Sequence, residues 1–254
     1  HQYECNGCGY QFSATAGTVF HDSHLPLWKW FLACYLICES QKGMSANQIK
    51  RTLGISYKTA WYLCHRVRQA MRVEPTEKLD GTVEADETFV GGRYDKRRKR
   101  ASYEKPCVVG VIQRKGEVRA KKAPSRGARA ISSFVKASVE PGAVPVTDEY
   151  AGYEKVGRDY DHRVINHSKL EYVVGLTHTN SIENFWSLFK RGLVGQFHKV
   201  SEKHLDRYLD EFTYRFNGRD DDRLFQNTLR NLVNGKTLTF AKLTNQADEH
   251  RVGV

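Results

Sequence analysis

The first third of the chain shows apolar residues at the spacing of helices. An apolar stretch at residues 25–40 predicts one helix, with Pro26 suited to its first turn. Ser45 and Ser56 are each suited to cap a following helix, and Gly54 separates these two helices. The pattern therefore predicts a helix, a glycine turn and a second helix.

The second of these helices has the side-chain distribution of a helix that enters a DNA groove. Its apolar stripe consists of Ala60, Leu63, Val67 and Met71. Polar and basic side chains lie outside this stripe, namely Tyr57, Lys58, Thr59, His65, Arg66 and Arg68. A DNA-binding helix-turn-helix is favoured, with DNA contacts from Tyr57, Lys58, Thr59 and Arg66. An ordinary helical hairpin is the alternative.

Beyond a polar linker at residues 75–81 the pattern changes to that of strands. The first strand alternates, which places Glu84 and Asp86 on one side. The pattern next predicts a hairpin at residues 106–123 and a helix at residues 128–137. A short strand at residues 142–148 runs into Asp148, another short strand lies at residues 162–167, and a helix begins at Asn180. Interpreted as three strands, helix, strand, helix, strand and helix, this order indicates a ribonuclease H-like α/β fold. In that fold Asp86 and Asp148 would meet.

The helix predicted from Asn180 combines an apolar stripe with two charges. The stripe is Ile182, Phe185, Trp186, Phe189 and Leu193. Glu183 and Lys190 are seven residues apart, so they lie about 20° apart around the helix axis and share one side. We expect this helix to bring Glu183 towards the two aspartates. Alternatively, Asn180 and Glu183 form a capping box and the glutamate only satisfies a backbone donor.

The charge balance favours a polyanionic partner. The 254 residues include 40 Lys and Arg against 29 Asp and Glu, a net charge of +11, and nucleic acid is the leading candidate. Two basic runs, at residues 93–100 and 114–129, are solvated loops or a surface for phosphates. The residues expected to contact DNA from outside the helix-turn-helix are Arg97, Arg98, Lys99, Arg100 and Arg191.

The cysteines predict reduced thiols and one possible zinc half-site. Among the 6 cysteines, Cys5 and Cys8 have the spacing of a zinc-ribbon knuckle. A second pair would have to precede His1, or else the knuckle is free of metal; His21 and His24 are alternative ligands. The apolar run from Trp30 to Cys38 is too short to span a bilayer, so we expect a cytoplasmic protein.

Seven stretches of the chain, in order, resemble the blocks of one protein family. They are "YECNGCGYQFSATAGTVFHDSHLPLWKWF", "GISYKTAWYLCHRVRQAM", "VEADETFVGG", "VTDEYAGY", "VINHS", "HTNSIENFWSLFKRG" and "HLDRYLDEFTYRFN". The chain is similar to bacterial insertion-sequence transposases of the DDE type, most closely the group numbered fifteen ninety-five. The resemblance covers roughly residues 3–217. It implies a zinc ribbon, a helix-turn-helix and a ribonuclease H-like catalytic core, in a nucleoid-associated enzyme.

The resemblance also implies which residues carry the chemistry. Asp86 and Asp148 correspond to the first two catalytic acids, and the 178–190 block supplies a third ligand followed by the lysine, Lys190. We favour Glu183 as the third ligand because Asn184 points about 100° away from it around the helix. The remaining alternatives are Asn184 and Asn180 as the third ligand, and Glu84, Glu87 and Glu149 as competing carboxylates that are supporting or exposed.

These acids suit two Mg²⁺ ions, for which Mn²⁺ could substitute. We expect cleavage at the element's inverted repeats and strand transfer into target DNA by a homo-oligomer. A regulator that binds DNA without cutting and a nuclease that does not join are the rival functions.

The sequence also predicts how the chain is organised. A zinc knuckle is expected at residues 1–20, a helix-turn-helix region at residues 21–74 and a linker at residues 75–81. The catalytic domain is expected at residues 82–220, followed by a basic tail at residues 221–254.

Overall fold

The computed structural model describes residues 2–91, 105–165 and 179–244. These residues form two compact units, one from residues 2–73 and 218–244 and one from the described part of residues 74–217. The predicted DNA contacts Arg97, Arg98, Lys99 and Arg100 lie outside the described residues. No helix in the described parts is long and apolar enough to cross a membrane.

The strands and helices are numbered in chain order. They are β1 (Gln2–Glu4), β2 (Gln11–Ser13), α1 (Leu27–Glu39), α2 (Ala46–Leu53), α3 (Tyr57–Ala70), β3 (Thr82–Phe89), β4 (Cys107–Gln113), β5 (Val118–Lys122), α4 (Ala128–Ser138), β6 (Val144–Thr147), β7 (Arg163–Val164), α5 (Asn180–Gly192), α6 (Leu205–Asn217), α7 (Leu224–Asn234) and α8 (Phe240–Thr244).

Local capping chemistry defines the helix pair α2 and α3, as predicted. Ser45 and Gln48 form a capping box at the start of α2. Gly54 ends α2 in the left-handed conformation, with φ of 60°, which glycine adopts without steric cost. The Ser56 hydroxyl then accepts a hydrogen bond from the Thr59 amide at 3.1 Å and caps α3. Two helices joined by a tight turn are the result.

The burial of α3 corrects part of the sequence interpretation. His65, Arg66 and Arg68 were expected outside the apolar stripe, but all three are buried. The Arg66 guanidinium donates to the His21 carbonyl at 2.7 Å and lies over the Trp30 ring, 5.1 Å from its centroid. The expectation that Arg66 is presented to DNA is therefore wrong, because its charge and its aliphatic stem are used inside this unit.

The C-terminal residues add two helices, where sequence analysis expected only a basic tail. Helix α7 packs against α1 and α3. Cys38 on α1 and Thr228 on α7 are in hydrogen-bond contact at 3.3 Å, and the Val19 amide donates to the Leu232 carbonyl at 3.0 Å. The first compact unit is thus built from both ends of the chain.

The second unit is built on a five-stranded mixed sheet with the order β5-β4-β3-β6-β7. β3, β4 and β5 are antiparallel neighbours, whereas β6 runs parallel to β3 and β7 runs parallel to β6. The hairpin of β4 and β5 turns at Lys115, which has a positive φ of 60°. This topology is consistent with the predicted ribonuclease H-like core.

Helices cover both faces of this sheet. On one face, Val83 and Ala85 of β3 pack with Ile131 and Val135 of α4 in one apolar cluster. On the other face, residues of β4 and β5 pack with α5 and α6, and the buried members include Ile182, Phe185, Trp186, Phe189, Leu209 and Phe212. The side of β3 that carries Glu84 and Asp86 therefore faces away from α4.

The outer edge of β5 is bonded to side chains of α6. The Asn217 side chain accepts from the Val118 amide at 2.9 Å and donates to the Val118 carbonyl at 3.0 Å. Asp206 accepts from the Lys122 amide at 2.8 Å. These bonds satisfy main-chain groups that an edge strand would otherwise expose.

Candidate active site

The strand register brings Asp86 and Asp148 to the same end of two neighbouring strands. Glu84 of β3 is the parallel partner of Val146 of β6. Asp86 and Asp148 each follow these partners by two residues, and Asp148 comes directly after the last residue of β6. Both aspartates are partly buried. Asp148 therefore lies at the carboxyl end of β6, and Asp86 lies beside it on β3, just beyond the stretch in which the two strands pair. The carboxyl ends of parallel strands are where α/β proteins commonly bind ligands.

The Asp86 side chain is in a strongly anionic environment. Burial is the largest cause that raises its pKa, to about 7, and the charges of Glu87, Asp148 and Glu183 raise it further. The Glu87 amide donates to Asp86 at 2.9 Å and partly opposes this shift. A bound cation would neutralise part of this negative charge and so reduce the repulsion between the carboxylates.

Helix α5 carries Glu183 in its first turn and Lys190 in its last turn. Both side chains are exposed, beside the buried apolar stripe. At 1.5 Å per residue they are separated by about 10 Å along the axis. The helix and the shared side agree with the sequence prediction, while the roles of the two charges stay predictions.

Glu183 is not needed to cap α5. The N-cap residue is Thr179, whose side chain makes no capping bond but donates to Glu183 at 2.7 Å. The Ser181 and Ile182 amides at the helix start instead donate to Glu84 of β3, at 2.8 and 3.1 Å. The capping alternative therefore loses its main support, because another carboxylate satisfies these amides.

Glu84 is a supporting carboxylate and is fully buried, with 0% of its surface exposed. Besides the two amides, it accepts from the Ser181 hydroxyl at 3.0 Å and pairs with the Arg114 guanidinium at 3.1 Å. Glu84 therefore connects the sheet to the first turn of α5. Sequence analysis left it as one competing acid among several.

The other two competing acids have different positions. Glu149 is exposed. Glu87 lies on the strand side opposite Asp86, where burial raises its pKa and the Tyr153 hydroxyl partly offsets that effect. The pKa of the buried Tyr153 phenol is in turn raised well above its usual range by burial and by Glu87. Glu87 is thus partly buried beside a phenol on the α4 side of the sheet.

The remaining predicted DNA-contacting residues are on α3 and in the last turn of α5. Tyr57, Lys58 and Thr59 are exposed in the first turn of α3, and the Lys58 ammonium lies 4.8 Å from the Phe240 ring centroid. Arg191 is exposed on α5, next to Lys190.

Cys5 and Cys8 are exposed on the connection between β1 and β2. Hydrogen bonds from the Gly7 amide, the Cys8 thiol and the Cys8 amide lower the pKa of the Cys5 thiol. A lowered thiol pKa favours the thiolate that zinc binds, so this pair has the chemistry of half a site.

Neither predicted metal site is assembled as a complete ligand set. Across the described ranges, no group of three or more His, Cys, Asp or Glu side chains is placed to hold a metal ion. The carboxylates around Asp86 nonetheless fit a hard divalent cation, because carboxylate oxygens are its preferred ligands. Burial and, after it, the charges of neighbouring carboxylates raise the pKa of Asp86.

Several structural residues of this site were missed in the sequence. Ser181, Thr179 and Arg114 bond to the acids, and Gly110 of β4, the cross-strand partner of Asp86, lies beneath the Trp186 ring. A glycine inside the apolar run "CVVGVIQ" was an available signal, since a strand glycine often marks a close approach.

The fold and the paired aspartates are those of a mixed α/β protein and are consistent with a core of the ribonuclease H-like type. The model of the ISXO2-like transposase domain matches residues 78–217, more than half of the chain. The chain therefore belongs to this transposase family, as the resemblance of its sequence blocks predicted.

A curated relative comes from a mobile element. The chain is 28% identical over 232 residues to an uncharacterized protein in transposable element ISH50 of Halobacterium salinarum. The alignment covers 84% of this chain and 78% of that protein. The similarity extends beyond the residues matched by the family model.

Proposed function

We propose that this chain is a DNA transposase that binds the inverted-repeat ends of an insertion sequence and catalyses metal-dependent cleavage and strand transfer. The main supporting observation is the pair of aspartates on the adjacent parallel strands β3 and β6, with the charge of Glu183 acting on Asp86. Membership of a transposase family supports the same reaction class.

In this proposal Asp86, Asp148 and Glu183 hold two Mg²⁺ ions, or Mn²⁺ in their place. Such ions, when bound, activate a water or a DNA 3′-hydroxyl and stabilise the leaving oxygen. The pKa of Asp86, near 7, means that its ionisation and cation binding favour one another. The Thr179 hydroxyl, through its bond at 2.7 Å, restricts the orientation of the Glu183 carboxylate.

Lys190 and Arg191 would contact DNA phosphates from the last turn of α5. Both are exposed, and their charges interact favourably with the helix C-terminus when DNA is absent. Lys190 shares a side with Glu183, so a phosphate held there would lie along the same helix as the metal ligand.

End recognition is assigned to the N-terminal unit. Tyr57, Lys58 and Thr59 are exposed at the start of α3, as in a helix-turn-helix that presents its second helix to the major groove. The Cys5 and Cys8 knuckle would bind zinc with ligands from outside the described residues. Joining two ends requires at least two protomers, so we expect a homo-oligomer on DNA.

The test is an assay with labelled double-stranded end DNA, target DNA and Mg²⁺, in which the wild type should give joined products. Asp86→Ala and Asp148→Ala should abolish cleavage and joining but still shift the DNA. Strand transfer that persists in either variant would refute the assignment. Nicks without joining would indicate a nuclease, and a shift without cutting a DNA-binding regulator.

A further inference from the structure

Glu84 uses both of its carboxylate oxygens inside the protein. One oxygen accepts from the Arg114 guanidinium at 3.1 Å and from the Ser181 hydroxyl at 3.0 Å. The other accepts from the Ser181 and Ile182 amides at 2.8 and 3.1 Å. A buried charge is tolerated when its partners are this complete. Both carboxylate oxygens of Glu84 are therefore used in bonds that stabilise the fold, although Glu84 lies on the same side of β3 as Asp86.

The amides that Glu84 binds are those that a helix cannot satisfy by itself. The first N–H groups of a helix have no partner within it, and its N-terminus carries partial positive charge. In α5 a carboxylate from the sheet meets this need, because the Thr179 side chain makes no capping bond. The first turn of α5 is thus bonded to one position of β3.

This bond relates the two acidic groups of the candidate site. Asp86 is two residues after Glu84 on β3, and Glu183 is one residue after Ile182 on α5. A change in the Glu84 bonds would therefore move Glu183 relative to Asp86. The Arg114 guanidinium balances the charge of Glu84, so Glu84 adds little to the repulsion between the carboxylates of the candidate site.

We propose that Glu84 is a positioning residue, which sets the place of Glu183 beside Asp86 by holding the first turn of α5 through the Ser181 and Ile182 amides. This inference rests on the proposed function, since it concerns the same metal site. Glu84 acts through Glu183 and is not itself a metal ligand.

The test measures Mn²⁺ binding to the full chain by electron paramagnetic resonance, together with cleavage. Glu84→Gln should weaken Mn²⁺ binding by about tenfold or more, the usual effect of losing a group that orients a metal ligand. The matched control is Glu211→Gln, because Glu211 is also fully buried and pairs with Arg215 at 3.0 Å, but within α6. The control should lose stability and keep its Mn²⁺ affinity.

Two further variants keep the test decisive. Glu84→Gln combined with Glu183→Gln should bind Mn²⁺ no more weakly than Glu183→Gln alone, because residues acting through one group are not additive. Glu84→Asp keeps the negative charge for Arg114 but is one methylene shorter, so its carboxylate no longer reaches Arg114 and the α5 amides together. It should weaken binding in the same direction even if Glu84→Gln does not fold. Additive losses, or unchanged affinity in folded Glu84→Asp, would overturn the proposal.

The same titration separates the two levels of inference. If the wild type does not bind Mn²⁺, or if Asp86→Asn binds it equally well, the metal site of the proposed function fails. If Asp86→Asn loses binding while Glu84→Gln matches Glu211→Gln, only the positioning role fails.

Discussion

Gly110 and Trp186 are in such close contact that a Cβ atom on Gly110 would lie 2.6 Å from Cζ2 of the indole. Gly110 is the cross-strand partner of Asp86, so this contact determines how closely α5 approaches the sheet at the candidate site. A side chain at position 110 would force the helix outward.

Gly110→Ala should destabilise the protein by about 1–3 kcal/mol, the usual cost of overpacking a core. Because the displaced helix carries Glu183, cleavage should fall further than the folded fraction does. Denaturant unfolding and the cleavage assay measure the two effects. Gly142→Ala is the control, since a Cβ there meets nothing within 4 Å. Equal behaviour of the two variants would contradict this packing argument.

The identity of the third acid can be tested within α5. Glu183→Gln should reduce cleavage by at least about a hundredfold, because it removes a charged ligand. Asn184→Ala and Asn180→Ala should retain most activity, since neither asparagine carries a charge, whereas the charge of Glu183 adds to burial, Glu87 and Asp148 in raising the pKa of Asp86. Turnover of pre-bound end DNA is the measurement. Loss confined to Asn184→Ala would transfer the ligand role to the asparagine.

Asp86 predicts a specific pH dependence of stability in metal-free protein. Its folded pKa is raised from 3.8 to about 7, so the folded state keeps a proton that the unfolded state has lost. The unfolding free energy of the wild type should therefore fall as pH rises between these values, relative to Asp86→Asn. Thermal unfolding in EDTA should show the variant a few degrees more stable at pH 8 and equal near pH 3.5. A constant difference across this range would contradict the raised pKa.

The exposed start of α3 predicts an electrostatic contribution to DNA binding. Lys58→Ala should weaken binding to end DNA and reduce the slope of log affinity against log salt by about one. Cleavage of saturating DNA should be retained. Lys136→Ala is a control of equal charge change, because Lys136 pairs with Asp159 at 2.7 Å on the second compact unit. Equal salt slopes in both variants would argue against a groove contact by α3.

Local chemistry explains why much of the fold was predictable. Ser45, Gly54 and Ser56 act on their own neighbours, so the bounds of α2 and α3 follow from short stretches of sequence. The alternation of β3 likewise placed Glu84 and Asp86 on one side. The order of strands then led to the correct sheet.

The errors involve contacts between distant parts of the chain. Helical spacing identified the apolar stripe of α3 but could not show that the His21 carbonyl, 45 residues earlier, would accept a hydrogen bond from Arg66. Nor could alternation distinguish Glu84 from Asp86, because burial of Glu84 depends on the docking of α5. Helix α7 was missed although Leu224, Leu229 and Leu232 recur at helical spacing, so its apolar stripe was an available signal.

The side chains along β5 also restrict how copies of this chain can associate. Asn217 and Asp206 occupy main-chain groups at both ends of that strand. A strand from another molecule could extend the sheet at β5 only after displacing α6 and breaking these bonds. Pairing of protomers by continuous sheet formation along β5 is therefore disfavoured.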